Sequence, residues 1–158
     1  MAQIIAIKCK IVYTSVDRFE RLFKISSNHL FDTFSRQASK TMGLSTHVLD
    51  TMHGCPAAGM QVALYTTQGD QATLVKSFTL NHDGRNPDGM LYDHASLRKG
   101  TYRLVFNVSD YFKSKGVELP EPNFLNQVSL DFGVAHEDQH YHVPLLASPW
   151  SYSTYRGS

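Results

Sequence analysis

The stretch LSTHVLDTMHGCPAAGMQVALY, residues 44–65, indicates the fold class of this chain. It contains two apolar-rich runs separated by HGCPAAG, whose glycine and proline residues favour a turn. In the second run, Val62 and Leu64 alternate with more polar or smaller residues, as in a strand that buries one face. In the first run, Val48 can face a core, whereas His47 points the opposite way. We therefore predict two β-strands joined by a turn.

The chain downstream repeats this pattern of short strands and turns. Further strands are predicted in ATLVKSFTL, GTYRLVFNV, NFLNQVSLDFGV, QHYHVPLLAS and WSYSTY. One helix is predicted in SDYFKSKGV, residues 109–117, with Ser109 or Asp110 as its N-cap and Gly116 as its end. Many short strands separated by turn signals are typical of a sandwich. We predict an all-β fold, an antiparallel β-sandwich with one short helix.

The run HYHVPLL, residues 140–146, has two different faces. Strand alternation turns its tyrosine, valine and first leucine towards a core, and puts His140, His142 and Pro144 on the opposite face. A proline cannot donate a hydrogen bond to a neighbouring strand. We therefore expect this strand to lie near a sheet edge or an irregularity.

The last strand, SYSTY, alternates in the same way. Tyr155 points away from Tyr152 and Thr154, which we expect to face the core. If the face that carries His47 meets the mixed faces of the last two strands, imidazoles and phenols line a shared cleft.

Composition excludes several classes of function. The chain has 158 residues, of which 42% are hydrophobic, so it can bury a substantial core. Its formal net charge of +1 favours neither a nucleic acid nor an anionic membrane as partner. The two cysteines, Cys9 and Cys55, form no disulfide framework and have no metal-ligand spacing. We predict no nucleic-acid partner and no membrane partner.

The first 41 residues differ in amino-acid composition from the rest of the chain. Residues 1–41 contain seven basic and three acidic side chains and no glycine or proline. We interpret them as an N-terminal extension, either flexible or a targeting segment, before a domain at residues 42–158. The run RLFKISSNHL, residues 21–30, resembles an N-terminal peroxisomal signal, with six residues between its two halves instead of five. A cytoplasmic location is the main expectation, and peroxisomal or other organellar targeting is the alternative.

Histidines and an arginine are the candidates for chemistry. Imidazole titrates at about pH 6.5, so it can accept or donate a proton near neutrality. Arg85, in the polar loop NHDGRNPDG, supplies a permanent positive charge for an anion. His140 and His142 could instead bind zinc, although the sequence has no third candidate ligand at a spacing typical of zinc sites. His47 and Arg85 could also be ordinary surface residues. Composition and residue pattern alone therefore predict a β-sandwich with a polar site and do not identify its reaction.

Three separated motifs carry a resemblance to a known family. LSTHVLDTMHGCPAAGMQVALY, NHDGR and HYHVPLLASPWSYSTYRGS resemble the transthyretin-like family, and within it the 5-hydroxyisourate hydrolases of purine degradation. The ending Tyr155–Ser158, YRGS, is similar to the signature of those hydrolases, which transthyretin itself lacks. MGLSTHVLD also resembles a family N-terminus that starts at Met42. The run LPEPNFLNQV departs from the family, because many members have adjacent aromatics and a proline there.

The resemblance implies a transthyretin-like (prealbumin) sandwich that assembles as a homotetramer, a dimer of dimers, with active sites in the channel between dimers. The implied substrate is 5-hydroxyisourate, and no cofactor or metal is expected. The implied catalytic residues are His47, Arg85, His142 and Ser158. The implied substrate-binding residues are His47, Arg85, Tyr155, Arg156 and Gly157.

The resemblance also implies a mechanism. His47 or His142 helps to deprotonate a water molecule that attacks a ring carbonyl, and the sequence does not distinguish the two. Arg85 stabilises the negative charge that develops, while Tyr155 and Arg156 hold the substrate ring. A non-catalytic, transthyretin-like ligand-binding protein is the alternative function.

Overall fold

Nine strands and one helix make up residues 42–157, the part of the chain that the computed structural model describes. The predicted extension, residues 1–41, and the terminal Ser158 lie outside the described residues. The elements are β1 (Gly43–Asp50), β2 (Cys55–Pro56), β3 (Gln61–Gln68), β4 (Gln71–Thr79), β5 (Tyr92–Asp93), β6 (Gly100–Phe106), α1 (Val108–Ser114), β7 (Val128–Val134), β8 (Tyr141–Ala147) and β9 (Tyr152–Thr154). No helix among the described residues has the length and apolar character to cross a membrane.

The strands form two sheets, which confirms the predicted β-sandwich. One sheet has the order β2-β1-β8-β9, with β5 also paired to β1, and the other has the order β4-β3-β6-β7. The core lies between the sheets. The residues that alternation predicts to face it are buried, namely Val48, Val62, Leu64, Tyr141, Val143 and Leu145, and Tyr102, Leu104 and Phe106 of β6 are buried with them. Each fully buried valine or leucine contributes about 1.5–3 kcal/mol to folding.

One strand pair differs from the antiparallel pattern. β1 and β8 run parallel, with Ser45 opposite His142 and His47 opposite Pro144. Parallel neighbours cannot be joined by a tight turn, and β2 to β7 lie between these two strands in the sequence. This pairing determines which polar side chains of the first and last parts of the domain become neighbours.

Pro144 lies at an irregularity and not in an edge strand. β8 is flanked by β1 and by the edge strand β9, so Pro144 lies one strand in from the sheet edge, as expected. The β8–β9 pairing stops at Leu145 opposite Thr154. It resumes in the same register at His142, which pairs with Gly157. The missing N–H of proline accounts for the gap.

The edge strand β9 corrects one expectation. Tyr152 and Thr154 lie opposite Ala147 and Leu145, so the alternation is right, since paired residues share a face. All three residues of β9 are nevertheless exposed, with Tyr152 at 48%. An edge strand that the second sheet does not cover leaves even its inward side chains open to solvent.

The helix begins earlier than predicted and ends where predicted. Asn107 is the N-cap and makes no side-chain capping bond, while the predicted cap Ser109 is buried and donates to Asn126. At the other end, Gly116 has φ = 80°. Its N–H and that of Val117 donate to the helix carbonyls of Lys113 and Phe112, which closes the helix.

Candidate active site

Parallel pairing of β1 and β8 gathers the candidate histidines on the face of their sheet that points away from the core. Ser45 and His47 project from that face of β1, and His142 projects from β8 directly opposite Ser45. All three side chains are half-buried. A polar cluster therefore lies on an outer sheet surface.

The loop after β4 carries Arg85 to this cluster. The Asn81 side chain accepts hydrogen bonds from the N–H groups of Asp83 and Arg85, both at 3.0 Å. Gly84, with φ = 70°, places its carbonyl to accept from the N–H of Val48 at 2.9 Å. A Cβ on Gly84 would stand 2.5 Å from the Val48 oxygen, so the close approach of loop and strand requires glycine.

Arg85 contacts His47 directly. The two residues form a β-bridge, and Nη2 of Arg85 lies 3.4 Å from Nδ1 of His47, a long hydrogen bond. A guanidinium can only donate. Nδ1 of His47 therefore accepts, and the hydrogen of the neutral His47 ring lies on Nε2.

His142 is held by a different partner. Its Nδ1 lies 2.9 Å from Oγ of Ser45, which in turn lies 3.2 Å from Nε2 of His140. The His140 and His142 rings stack with centroids 6.4 Å apart and planes 11° from parallel. Among residues 42–157, no group of three His, Cys, Asp or Glu side chains is placed to hold a metal ion, so the zinc alternative finds no third ligand there.

The final described residues wrap onto His142. The N–H of Gly157 donates to the His142 carbonyl at 2.8 Å, and the His142 N–H donates back at 3.3 Å. A Cβ on Gly157 would lie 2.9 Å from Cδ2 and 3.0 Å from Cβ of His142, so this position also needs glycine. The β8–β9 register carried forward puts Tyr155 on the cluster's face, beside Pro144. Tyr155 is 59% exposed.

Arg156 lies outside the cluster. Its guanidinium stands 4.5 Å from the ring centroid of Tyr141, and Nη2 donates to Oε1 of Gln139 at 2.8 Å. Tyr141 belongs to the core-facing set of β8. In this chain Arg156 therefore anchors the terminal segment to the turn before β8.

Burial and charge keep the clustered imidazoles neutral. Burial lowers the pKa of His47, the positive charge of Arg85 lowers it further, and Asp83 partly opposes both. Burial also lowers the pKa of His142, with additional contributions from Arg85, His140 and His47. Two neutral imidazoles beside a permanent cation can move protons and stabilise an anion at neutral pH.

Of the predicted site residues, His47, Arg85 and His142 are brought together, and Gly157 contacts His142. The prediction for Ser158 falls outside the described residues. Ser45 was not predicted as a site residue. It lies two positions before His47, and strand alternation alone places both on one face.

The comparisons with known proteins agree with this geometry. A sequence model of the HIUase/Transthyretin family matches residues 44–157. A 5-hydroxyisourate hydrolase of Pseudomonas aeruginosa is 55% identical over 115 residues, which cover 73% of this chain and 90% of that protein.

Solved structures are similar as well. The structure of Klebsiella pneumoniae 5-hydroxyisourate hydrolase matches with a TM-score of 0.59 and 30% identity, covering 74% of this chain and 99% of that one. A crystal structure of (S)-allantoin synthase matches with a TM-score of 0.68 and 42% identity over 76% of this chain, which spans 46% of that longer protein. The fold, the clustered histidines and the matched sequence together establish that the chain belongs to the HIUase/Transthyretin family.

Proposed function

We propose that this chain hydrolyses 5-hydroxyisourate to 2-oxo-4-hydroxy-4-carboxy-5-ureidoimidazoline, a step of urate degradation, without a metal or cofactor. The observation that carries the proposal is the cluster of His47, Arg85 and His142, whose two imidazoles have lowered pKa values. The name and 55% identity of the Pseudomonas aeruginosa relative support it and do not favour a non-catalytic ligand-binding protein.

His142 is the general base of the proposed reaction. Nδ1 of His47 is occupied as an acceptor for Arg85, so the outer nitrogen of the neutral His47 ring carries a hydrogen. Nδ1 of His142 faces the Ser45 hydroxyl instead. A hydroxyl can accept a hydrogen bond, which allows His142 to keep an outer lone pair for the proton of water.

Hydrolysis then proceeds by addition and ring opening. The water oxygen bonds to the ring carbonyl carbon as His142 takes a water proton. The cyclic amide C–N bond breaks, the leaving nitrogen takes up a proton, and a carboxylate forms. Arg85 and the outer N–H of His47 are the groups that stabilise the developing negative charge.

The terminal segment completes the substrate site in this proposal. Tyr155, Arg156 and Gly157 contribute to binding, and the chain-end carboxylate of Ser158 orients a neighbouring histidine or arginine. The contact of Gly157 with His142 supports this role, and the part given to Ser158 and Arg156 rests on the sequence resemblance. Removal of Tyr155–Ser158 should abolish hydrolysis while circular dichroism still reports a folded sandwich. A folded, fully active deletion variant would remove the terminus from the mechanism.

A homotetramer, a dimer of dimers, is the assembly that would enclose this open cluster. Leu49 shares the face of His47 and lies opposite Leu146. It is 36% exposed, and Trp150, in the turn between β8 and β9, is 54% exposed. Exposed apolar groups beside a polar site are typical of a surface that another chain covers. Sedimentation should give the mass of four chains, and a monomer would contradict the assembly.

Residues 42–158 are the proposed hydrolase domain, and residues 1–41 an extension that catalysis does not need. The family match begins at residue 44, which supports the boundary. A chain that starts at Met42 should keep the assembly and the activity. Insoluble or inactive protein would show that the extension is required. A fluorescent fusion of residues 1–41 would distinguish cytoplasmic from organellar location.

The decisive assay uses the unstable substrate itself. Urate is oxidised enzymatically to 5-hydroxyisourate, and its decay is followed by absorbance with and without the purified full chain. The expected result is a decay rate that increases in proportion to protein concentration. Decay no faster than the spontaneous reaction would reject the proposed function.

A further inference from the structure

Ser45 lies between two imidazoles. Its Oγ is 2.9 Å from Nδ1 of His142 and 3.2 Å from Nε2 of His140. A hydroxyl has one hydrogen to donate and lone pairs with which to accept. Ser45 can therefore donate to only one of the two rings, and it accepts a hydrogen bond from the other.

The partners of this hydroxyl differ from those of its neighbour. Thr46, on the core side of β1, donates to the carbonyl of Val143 at 2.7 Å and so ties two strands together. Among residues 42–157, the hydrogen-bond partners of Ser45 Oγ are the two imidazoles. The Thr46 hydroxyl therefore stabilises the pairing of β1 with β8, while the Ser45 hydroxyl forms hydrogen bonds with the two imidazole rings.

His140 completes the arrangement from the far side. Its Nδ1 is buried and has no hydrogen-bond partner among the described residues. Nε2 is therefore the ring nitrogen of His140 that forms a hydrogen bond, and its partner is the Ser45 hydroxyl. The stacking of its ring on that of His142 keeps both nitrogens in reach of the hydroxyl.

We propose that Ser45 is a positioning residue that selects the tautomer of His142, and that His140 orients the Ser45 hydroxyl. Nε2 of His140 accepts the hydroxyl hydrogen, and the Ser45 oxygen then accepts the Nδ1 hydrogen of His142. Nε2 of His142 is left with a lone pair. The neutral form of the ring thus presents its acceptor nitrogen outwards.

The benefit to catalysis rests on the proposed function, in which His142 takes a proton from water. Once Nε2 is protonated, the His142 ring is a cation whose Nδ1 can only donate. Its hydrogen bond to Ser45 then becomes charge-assisted and stronger. Ser45 would lower the barrier without touching the substrate.

Kinetics of matched variants test the idea. Ser45→Ala should lower kcat by about 10- to 100-fold, the range known for groups that orient metal-bound histidines, with little change in KM. Ser45→Thr keeps a hydroxyl and should recover most of kcat. His140→Phe should lower kcat by less than Ser45→Ala, since the serine oxygen remains. Ser129→Ala is the control, because Ser129 is an exposed strand serine on the other sheet.

A second readout needs no activity. In ¹⁵N-detected NMR of the full-length protein at a pH where His142 is neutral, the ring should carry its hydrogen on Nδ1. Ser45→Ala should shift it towards Nε2. A His142 ring with its hydrogen on Nε2 in the unaltered protein would overturn the proposal even if hydrolysis is confirmed, as would wild-type kcat in folded Ser45→Ala. Absent hydrolysis by the unaltered protein would instead reject the proposed function and leave the tautomer test intact.

Discussion

Gly157 offers the sharpest test of whether the terminal segment fixes the geometry of His142. An alanine Cβ at this position would lie 2.9 Å, 3.0 Å and 3.3 Å from three side-chain atoms of His142. Ordinary carbon contacts begin near 3.4 Å, so the ring has to retreat by about half an ångström. The backbones cannot separate easily, because Gly157 and His142 exchange two hydrogen bonds. Because Cβ of His142 is fixed to its own backbone, the whole His142 side chain has to tilt away, and the bond from Nδ1 to Ser45 moves with it.

The size of the effect follows from that displacement. A misplacement of about 1 Å at a reacting group can cost about 100-fold in rate, so half of it should lower kcat/KM about tenfold in Gly157→Ala. The substitution does not oppose the backbone conformation, since Gly157 is not among the glycines with positive φ. The overlap with the His142 side chain should still lower stability, by about 1–3 kcal/mol, the usual cost of overpacking.

Gly133→Ala is the matched control. Gly133, in β7, likewise has no positive φ, and a Cβ there would meet no atom within 4 Å. Both variants would be assayed by 5-hydroxyisourate decay and by urea denaturation. If Gly157→Ala is folded and has wild-type kcat/KM, the contact between the terminus and the His142 ring has no catalytic role. An equal loss in both variants would likewise refute the steric argument.

Four other predictions concern the cluster and the helix. His47→Asn and His142→Asn should each lower turnover by about two to four orders of magnitude without dissociating the assembly. Kinetics and sedimentation measure the two effects, and near-wild-type turnover in either variant would reject the role assigned to that histidine. His142 must be neutral to act as base, and its pKa is lowered, so activity should fall with decreasing pH through a midpoint below 6.5. In Arg85→Gln, NMR titration should find the pKa of His142 raised, and an unchanged pKa would contradict the charge effect. Tyr111→Phe removes a buried hydroxyl that donates to the Asp50 carboxylate at 2.9 Å. Urea denaturation should therefore show a loss of about 1.5–3 kcal/mol in unfolding free energy, with activity kept, and unchanged stability would show that the hydrogen bond does not stabilise the fold.

The sequence by itself determined which side of β1 and of β3 is buried. In residues 44–65, alternation placed Val48, Val62 and Leu64 inwards and His47 outwards, and all four are found so. This information is local, because successive side chains of a strand point to opposite faces whatever the strand pairs with. The end of the helix at Gly116 was equally local, since a positive φ there needs glycine.

Only the tertiary structure decided which polar faces meet. Ser45 and His142 are 97 positions apart in the chain, and their contact depends on a parallel pairing that no local pattern encodes. The same holds for the contact of Arg156 with the ring of Tyr141, which no local pattern encodes. Alternation gives a side chain a face but not a neighbour. The neighbour is set by the order and register of strands, and these are fixed by burial of the whole core.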